Sequence, residues 1–461
     1  MPMDSTPEPA PAITDTEGFV GHPRGLGPLF FTELWERFSY YGMRAILVLY
    51  MVAPVAQGGL GFDTKHAASI YGTYTMSVYL TGLPGGLIAD RFLGARLAVF
   101  LGGIIIASGH FSMVFHSMTS FYLGMVLIAI GTGFLKPNIS AMVGNLYSEE
   151  DPRRDSGFSI FYMGINVGAV LAPLVCGYMA QGESFKRFVA SMGFDVTTSW
   201  HWGFGAAGVG MCFGLVIFAL NRKVLERASR KRVQKSAGVS TDTKTPLTPA
   251  DWKRIAAIFV FFLFTILFWA AYEQKGASLN LFAKDLVRTE LFGRRFPSSW
   301  LQSCTPAFVI MLAPIFSILW VRLGKRQPSS PVKFTMGLLF IGLAYVLLVP
   351  AATMTAYGKI SPLWLVGLYF LEVVGEMCLS PVGLSTVTKL APVKLVGIMM
   401  GVWFLAASFG SKLAGYLSGF YVPQAGVLVK LYGGIAVGLL ISAGLLALLT
   451  PKVKKLMGSV N

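Results

Sequence analysis

The sequence predicts an all-α polytopic membrane protein with twelve transmembrane helices in a 6+6 arrangement. Of its 461 residues, 54% are hydrophobic and only 13% are charged, where soluble domains carry about 25% charged residues. Apolar runs long enough to span a hydrocarbon core of about 30 Å, roughly 20 residues each, recur along the whole chain. The longest polar segment, 222–253, divides those runs into six and six.

Residues 1–22 are rich in Pro, Thr, Asp and Glu. They lack the basic start and apolar middle of a signal peptide and read as a disordered tail. The spans fall near 29–53, 67–89, 95–114, 120–146, 157–180, 201–221, 255–274, 300–321, 334–351, 362–384, 396–420 and 430–450. The domains expected are an N-terminal tail (1–28), a six-helix bundle (29–221), a linker (222–253), a second six-helix bundle (254–450) and a C-terminal tail (451–461). An even number of spans puts both termini on one side.

Charge chooses the side. The linker holds Arg222, Lys223, Arg227, Arg230, Lys231, Arg232 and Lys235, and excess Lys and Arg mark cytoplasmic loops. Loops of the same parity agree: Arg91 and Arg96, Arg153 and Arg154, Arg322, Lys325 and Arg326, Lys389 and Lys394, and then Lys452, Lys454 and Lys455. Both termini are therefore expected in the cytoplasm, in a cell (inner) membrane. The loop 112–119 on the other side has no Lys or Arg, whereas 275–299, with Lys275, Lys284, Arg288, Arg294 and Arg295, fits the rule less well. The net charge of +16 thus reports topology and contact with membrane lipid, not nucleic acid. Cys176, Cys212, Cys304 and Cys378 stand singly in apolar segments and read as packing residues. No metal or other cofactor is expected.

Charged groups inside spans are costly, roughly 2.5–3.5 kcal/mol each on insertion scales, and usually face a cavity and pair. The first span holds Glu33, Glu36, Arg37 and Arg44, the fourth Lys136, the seventh Glu273, the tenth Glu372 and Glu376, and the eleventh Lys412. Glu33 and Arg37, four apart, share a helix face, with Glu36 about 100° round from it. Tyr40 and Tyr41 lie between Arg37 and Arg44 and can donate hydrogen bonds. Arg37, Arg44 and Lys136 on one half would attract a carboxylate, which Arg holds in a bidentate fork. Glu273 and Glu376 on the other half would attract an ammonium. Such a site suits a small zwitterion, and desolvated carboxylates can carry protons. There is no HExxH, no GxSxG and no pair of intramembrane aspartates, so a membrane-embedded enzyme is not expected.

Two bundles of six helices are the plan of the major facilitator superfamily, whose halves rock about a midplane site. The stretch Gly86-Leu87-Ile88-Ala89-Asp90-Arg91-Phe92-Leu93-Gly94-Ala95-Arg96 resembles its loop between helices two and three, where Asp90, Arg91 and Arg96 would form a charge network. More specifically, Glu33-Leu34-Trp35-Glu36-Arg37-Phe38-Ser39-Tyr40-Tyr41-Gly42 resembles the ExxERFxYYG signature of the proton-dependent oligopeptide transporter family. Matches to its motifs continue in order at Gly131–Ser140, Phe161–Gly168, Phe268–Gln274, Gly375–Gly383 and Trp403-Phe404. The resemblance implies a bacterial symporter of protons with di- and tripeptides, functional as a monomer. Glu33, Glu36 and Arg37, with Glu273, would couple to protons. Arg44 would pair with Glu273 across the outer gate, and Lys136 with Glu376 near the site. Arg44 and Lys136 would hold the peptide carboxylate and Glu376 its amine. Tyr40, Tyr41, Tyr79 and Asn166 would bond its backbone, and Trp269, Trp403 and Phe404 would shape side-chain pockets.

The sequence departs from the family in places. The two extra helices many bacterial members carry between the halves are missing, since 222–253 is too short and too polar. Thr305 stands where a family Asn precedes the eighth-helix proline, and Glu372 and Lys412 match no motif. The alternative function is proton-coupled transport of another small solute: an amino acid, nitrate or a drug.

Overall fold

Twelve membrane-crossing helices form two bundles of six. The computed structural model describes residues 15–148, 151–226, 247–291, 293–392 and 395–458. The expected tail 1–14, the linker residues Arg227, Arg230, Lys231, Arg232 and Lys235, and Lys394 lie outside them. The first bundle contains α1 (Leu26–Val52), a second span made of α2 (Thr64–Leu80) and α3 (Gly82–Ile88), α4 (Ala95–Ser112), α5 (Met118–Asn145), α6 (Arg154–Gln181), the short α7 (Glu183–Ser191) and α8 (Ser199–Leu220). The second contains α9 (Pro249–Tyr272), the short α10 (Ser278–Leu286), α11 (Cys304–Leu323), α12 (Ser330–Met354), α13 (Leu363–Leu390), α14 (Val396–Ser418) and α15 (Ala425–Met457).

Ten of the twelve spans qualify as membrane-crossing by length and hydropathy alone. The other two are α1 and the α2–α3 span. α1 falls short because it carries Glu33, Glu36, Arg37 and Arg44, and the second span because it is broken at Thr81 into helices of 17 and 7 residues. A helix screened by neighbours can keep polar groups provided these find partners. α1 is buried along nearly its whole length, charged residues included, between α6 and α8.

Contacts between the bundles concentrate where α2 packs on α14 and α6 on α11. The α2–α14 contact depends on glycine. A Cβ at Gly415 would stand 2.6 Å from the Gly72 Cα and from the Ala68 carbonyl oxygen. Beside it, Lys412 Nζ donates to Thr73 Oγ1 at 2.6 Å. Valine at Gly415 is expected to wedge the bundles apart here and to cost about 1–3 kcal/mol of overpacking. A lowered thermal midpoint of the detergent-solubilised protein would register it; an unchanged midpoint would mean that this approach is not tight.

Two segments differ from expectation. The stretch read as a basic loop, 275–299, instead continues inward. Glu273–Gly276 form a 3-10 turn, Ser278 to Ala283 of α10 are buried, and a hairpin follows with Glu290 paired to Arg295 and Leu291 to Arg294. The apolar trio Leu279, Leu281 and Phe282 inserts into the core and draws Lys275 in with it. At the other end, residues 15–24 are anchored and do not behave as a free tail. His22 Nδ1 and the Tyr147 hydroxyl share a 2.9 Å hydrogen bond, and Arg153 donates to the carbonyls of Asp15 and Gly21, both at 3.3 Å. Arg153 also grips Asp151 at 2.9 Å; its hydrogen bonds hold that carboxyl below its ordinary range.

Candidate functional site: a charged cavity between the bundles

The middle turns of α1 carry Glu33, Glu36, Arg37 and Arg44, all buried. Buried charge is tolerated only when paired and hydrogen-bonded. Arg37 donates to both oxygens of Glu36, with Nη2 to Oε1 at 2.5 Å. Glu33 stands farther off, its Oε1 3.4 Å from Arg37 Nε, and its Oε2 has no partner. Helical spacing favoured Glu33 as the nearer acid. The structure reverses that order: the arginine stem folds back along its own helix and both of its carboxylate hydrogen bonds go to Glu36. The Arg37 guanidinium also lies over the rings of Tyr40 at 5.0 Å and Tyr41 at 6.0 Å, within cation–π range.

Two turns on, Arg44 forms a buried ion pair with Glu273 and so links α1 to the turn that ends α9. Its Nε donates to the Tyr71 hydroxyl at 2.6 Å, a contact from α2 that sequence reasoning missed. Tyr71 was one tyrosine among several on that span, with nothing to single it out.

The pair expected between Lys136 and Glu376 is not formed. Lys136 Nζ lies 4.9 Å over the Tyr79 ring, and Glu376 accepts a hydrogen bond from the Tyr272 hydroxyl. α5 and α13, which carry the two residues, are not among the closely packed helix pairs; each charge therefore settles on its nearer aromatic neighbour. Both helices contain a proline after the charged residue, Pro137 directly after Lys136 and Pro381 five residues after Glu376, and proline removes a helical hydrogen bond and permits a bend.

These groups surround a cavity of about 330 Å³. Arg37, Tyr41, Arg44, Tyr79, Lys136 and Asn166 line it from the first bundle. Trp269, Glu273, Glu376, Trp403 and Phe404 line it from the second. Asn166 Nδ2 donates to the Tyr162 carbonyl at 2.9 Å within its own helix. Trp403 is buried and Phe404 half exposed. Tyr40 is absent from the wall; it is buried with its hydroxyl unpartnered. Glu33 and Glu36 stand behind Arg37. Asp90 and Arg91 are exposed and Arg96 partly buried, far from this wall, around the turn at Gly94, whose φ of +74° suits glycine.

Tyr162, Tyr272, Lys275, Gln302 and Ser380 also face the cavity, and sequence reasoning assigned none of them a role. Lys275 had a usable signal. It directly follows the motif ending in Glu273-Gln274, and its place in a supposedly outer loop broke the charge rule. A wider cavity of about 1020 Å³ adjoins this one, sharing Tyr162 and Ser380, and reaches Lys389 and Lys454. Among the described residues no group of three or more His, Cys, Asp or Glu could hold a metal ion.

Two helical bundles enclosing a cavity lined by Arg37, Arg44 and Lys136 on one wall and by Glu273, Glu376 and Lys275 on the other define a secondary transporter of the major facilitator type. The chain belongs to the POT family, the proton-dependent oligopeptide transporters, whose sequence profile (PTR2) matches residues 96–237 and 224–432. It is 41% identical to the uncharacterized transporter YclF of Bacillus subtilis, covering 96% of this chain and 97% of that one. It is 37% identical to the peptide transporter YePEPT of Yersinia enterocolitica, over 97% and 98% of the two chains. A di-/tripeptide transporter of Lactococcus lactis is 35% identical over 96% and 98%. Among solved structures, a variant of the peptide transporter POT in complex with alafosfalin superposes with a TM-score of 0.86 at 38% identity, over 96% of this chain and 98% of that one.

Proposed function

We propose that this chain is a proton-coupled symporter that imports di- and tripeptides by alternating access at the central cavity. The observation that carries the reading is a cavity of about 330 Å³ that sets Arg44 and Lys136 against Glu376, within the range of small-ligand sites. Arg44 and Lys136 would meet the peptide carboxylate and Glu376 its ammonium. Tyr41, Tyr79 and Asn166 would address the peptide backbone, Tyr40 would support them from behind the wall, and Trp269, Trp403 and Phe404 would meet the side chains. Every peptide shares its termini and amides, and loosely bounded aromatic pockets discriminate weakly, about 1–3 kcal/mol per methylene. Broad specificity follows.

The proton sites in this reading are Glu33, Glu36 and Arg37, with Glu273 at the gate. Protonation of Glu36 would free Arg37, and protonation of Glu273 would release Arg44 and open the outer side. With Arg44 bound to Glu273 and Lys136 apart from Glu376, the arrangement corresponds to a transporter closed outside and open toward Lys389 and Lys454. That end is assigned to the cytoplasm, together with both termini, the 222–253 linker and the Asp90–Arg91–Arg96 turn. The supporting feature is the Lys and Arg bias. The two bundles, 29–221 and 254–450, move as the rocking units, in a monomer seated in the lipid of the cell membrane.

Counterflow of labelled dialanine into liposomes tests the substrate class. Preloaded unlabelled dipeptides are expected to drive rapid exchange, and preloaded alanine is not. Exchange driven equally by alanine, or absent with dipeptides, would move the assignment to another solute.

A further inference from the structure

Glu372 lies one turn before Glu376 on α13, fully buried, and neither of its carboxylate oxygens has a hydrogen-bond partner. The groups facing it can be named element by element. Lys275 and Glu273 act on it from the turn after α9, and Glu376 from its own helix. Tyr272, at the end of α9, gives its hydroxyl to Glu376, and Tyr345 on α12 donates to the Ala271 carbonyl at 2.8 Å. On α15, Tyr432 donates to the Ser278 carbonyl at 3.4 Å. Tyr369 on α13 has no partner for its hydroxyl, and Cys304 on α11 is a free thiol. Lys412 on α14 turns away to Thr73. Among the described residues, Lys275 is thus the cation that acts on Glu372.

A carboxylate without a donor in a low-dielectric site is unstable, and the neutral acid is the form that fits. Lys275 rests with Nζ 3.3 Å over the Tyr272 ring, on a flexible stem. Glu273, Glu376 and Glu372 attract it, and Arg44 repels it. Glu273 is already committed to Arg44.

We propose that Glu372 is a second acid of the transport cycle, carrying one proton while peptide is bound, with Lys275 as the charge that releases it. This inference rests on the proton–peptide symport reading. A peptide ammonium at Glu376 repels Lys275 and keeps it on the Glu273 side, so Glu372 stays neutral. When the peptide leaves, Lys275 turns toward Glu372. The acid then passes its proton to the Glu376 carboxylate one turn on, which lines the cavity and gives it to water there, leaving the Glu372 carboxylate paired with the lysine ammonium. In the outward-facing state water returns a proton and the lysine swings back.

The test is the proton-to-peptide ratio, read from the membrane potential at which net dialanine flux through the full-length protein in proteoliposomes reverses. Glu372→Gln is expected to lower the ratio by one proton, with dialanine counterflow within twofold of wild type. Glu372→Met, which fills the space without a polar group, should give the same ratio, as should Lys275→Gln. An unchanged ratio in both Glu372 variants, or loss of counterflow in both, would overturn the inference. An unchanged ratio in Lys275→Gln alone would overturn the part given to the lysine. If wild-type flux ignores the proton gradient, the symport reading itself fails, a result separate from either variant.

Discussion

Glu36→Gln is expected to abolish concentrative peptide uptake while leaving exchange intact. In the wild type, Arg37 commits both of its forks to Glu36 inside a dry site, so the arginine is held until that carboxylate gains a proton. Glutamine imitates the protonated acid permanently: it keeps the shape and cannot ionise. One proton moving down one pH unit supplies about 1.4 kcal/mol, and a 100 mV potential adds about 2.3 kcal/mol per charge. Together they support a peptide gradient of several hundredfold. The variant should equilibrate labelled dialanine to a ratio near one, with counterflow within a few-fold of wild type. Wild-type accumulation in Glu36→Gln would remove Glu36 from the coupling mechanism.

The second large effect concerns the Arg44–Glu273 pair. Both side chains are about 97% buried, with exposures of 3% each, so Arg44→Met leaves an uncompensated carboxylate in the core. Breaking a buried pair in this way costs about 3–5 kcal/mol, and transport should be lost along with stability. Replacing both partners removes both desolvation penalties. The double variant Arg44→Met/Glu273→Met should therefore recover most of the thermal midpoint in detergent while remaining inactive. A double variant no more stable than the single would show that the loss comes from Arg44's contact with Tyr71, not from the pair.

Much of the fold was legible because the bilayer imposes a length and a polarity on each crossing segment. α1 and the α2–α3 span were legible too, near 29–53 and 67–89, although the charges of the first and the break at Thr81 in the second weaken their apolar pattern. α10, by contrast, escaped notice. It is short, and its buried Leu279, Leu281 and Phe282 sit between Lys275 and Lys284, so the segment averages to a loop.

At the site, the charged members of the motifs were visible because each is conspicuous in an apolar span. Eleven of the side chains singled out line the same cavity. Their partners were less visible. The preference of Arg37 for Glu36 over Glu33 depends on the rotamer the arginine stem adopts, not on helical spacing. The separation of Lys136 from Glu376 belongs to one conformation of a moving protein, which a single sequence serves in all its states. Lys275 and Glu372, eccentric to the recognised motifs, acquire meaning only when α9, α10 and α13 are brought together.

The central claim is that peptide movement is driven by protons through the charged cavity. Its most direct test is accumulation of labelled dialanine in proteoliposomes under an inward proton gradient and an inside-negative potential. Uptake should rise above equilibration roughly tenfold per pH unit for each coupled proton, increase further with the potential, and collapse when a protonophore is added. Dialanine uptake that neither the pH gradient nor the potential changes would contradict the account.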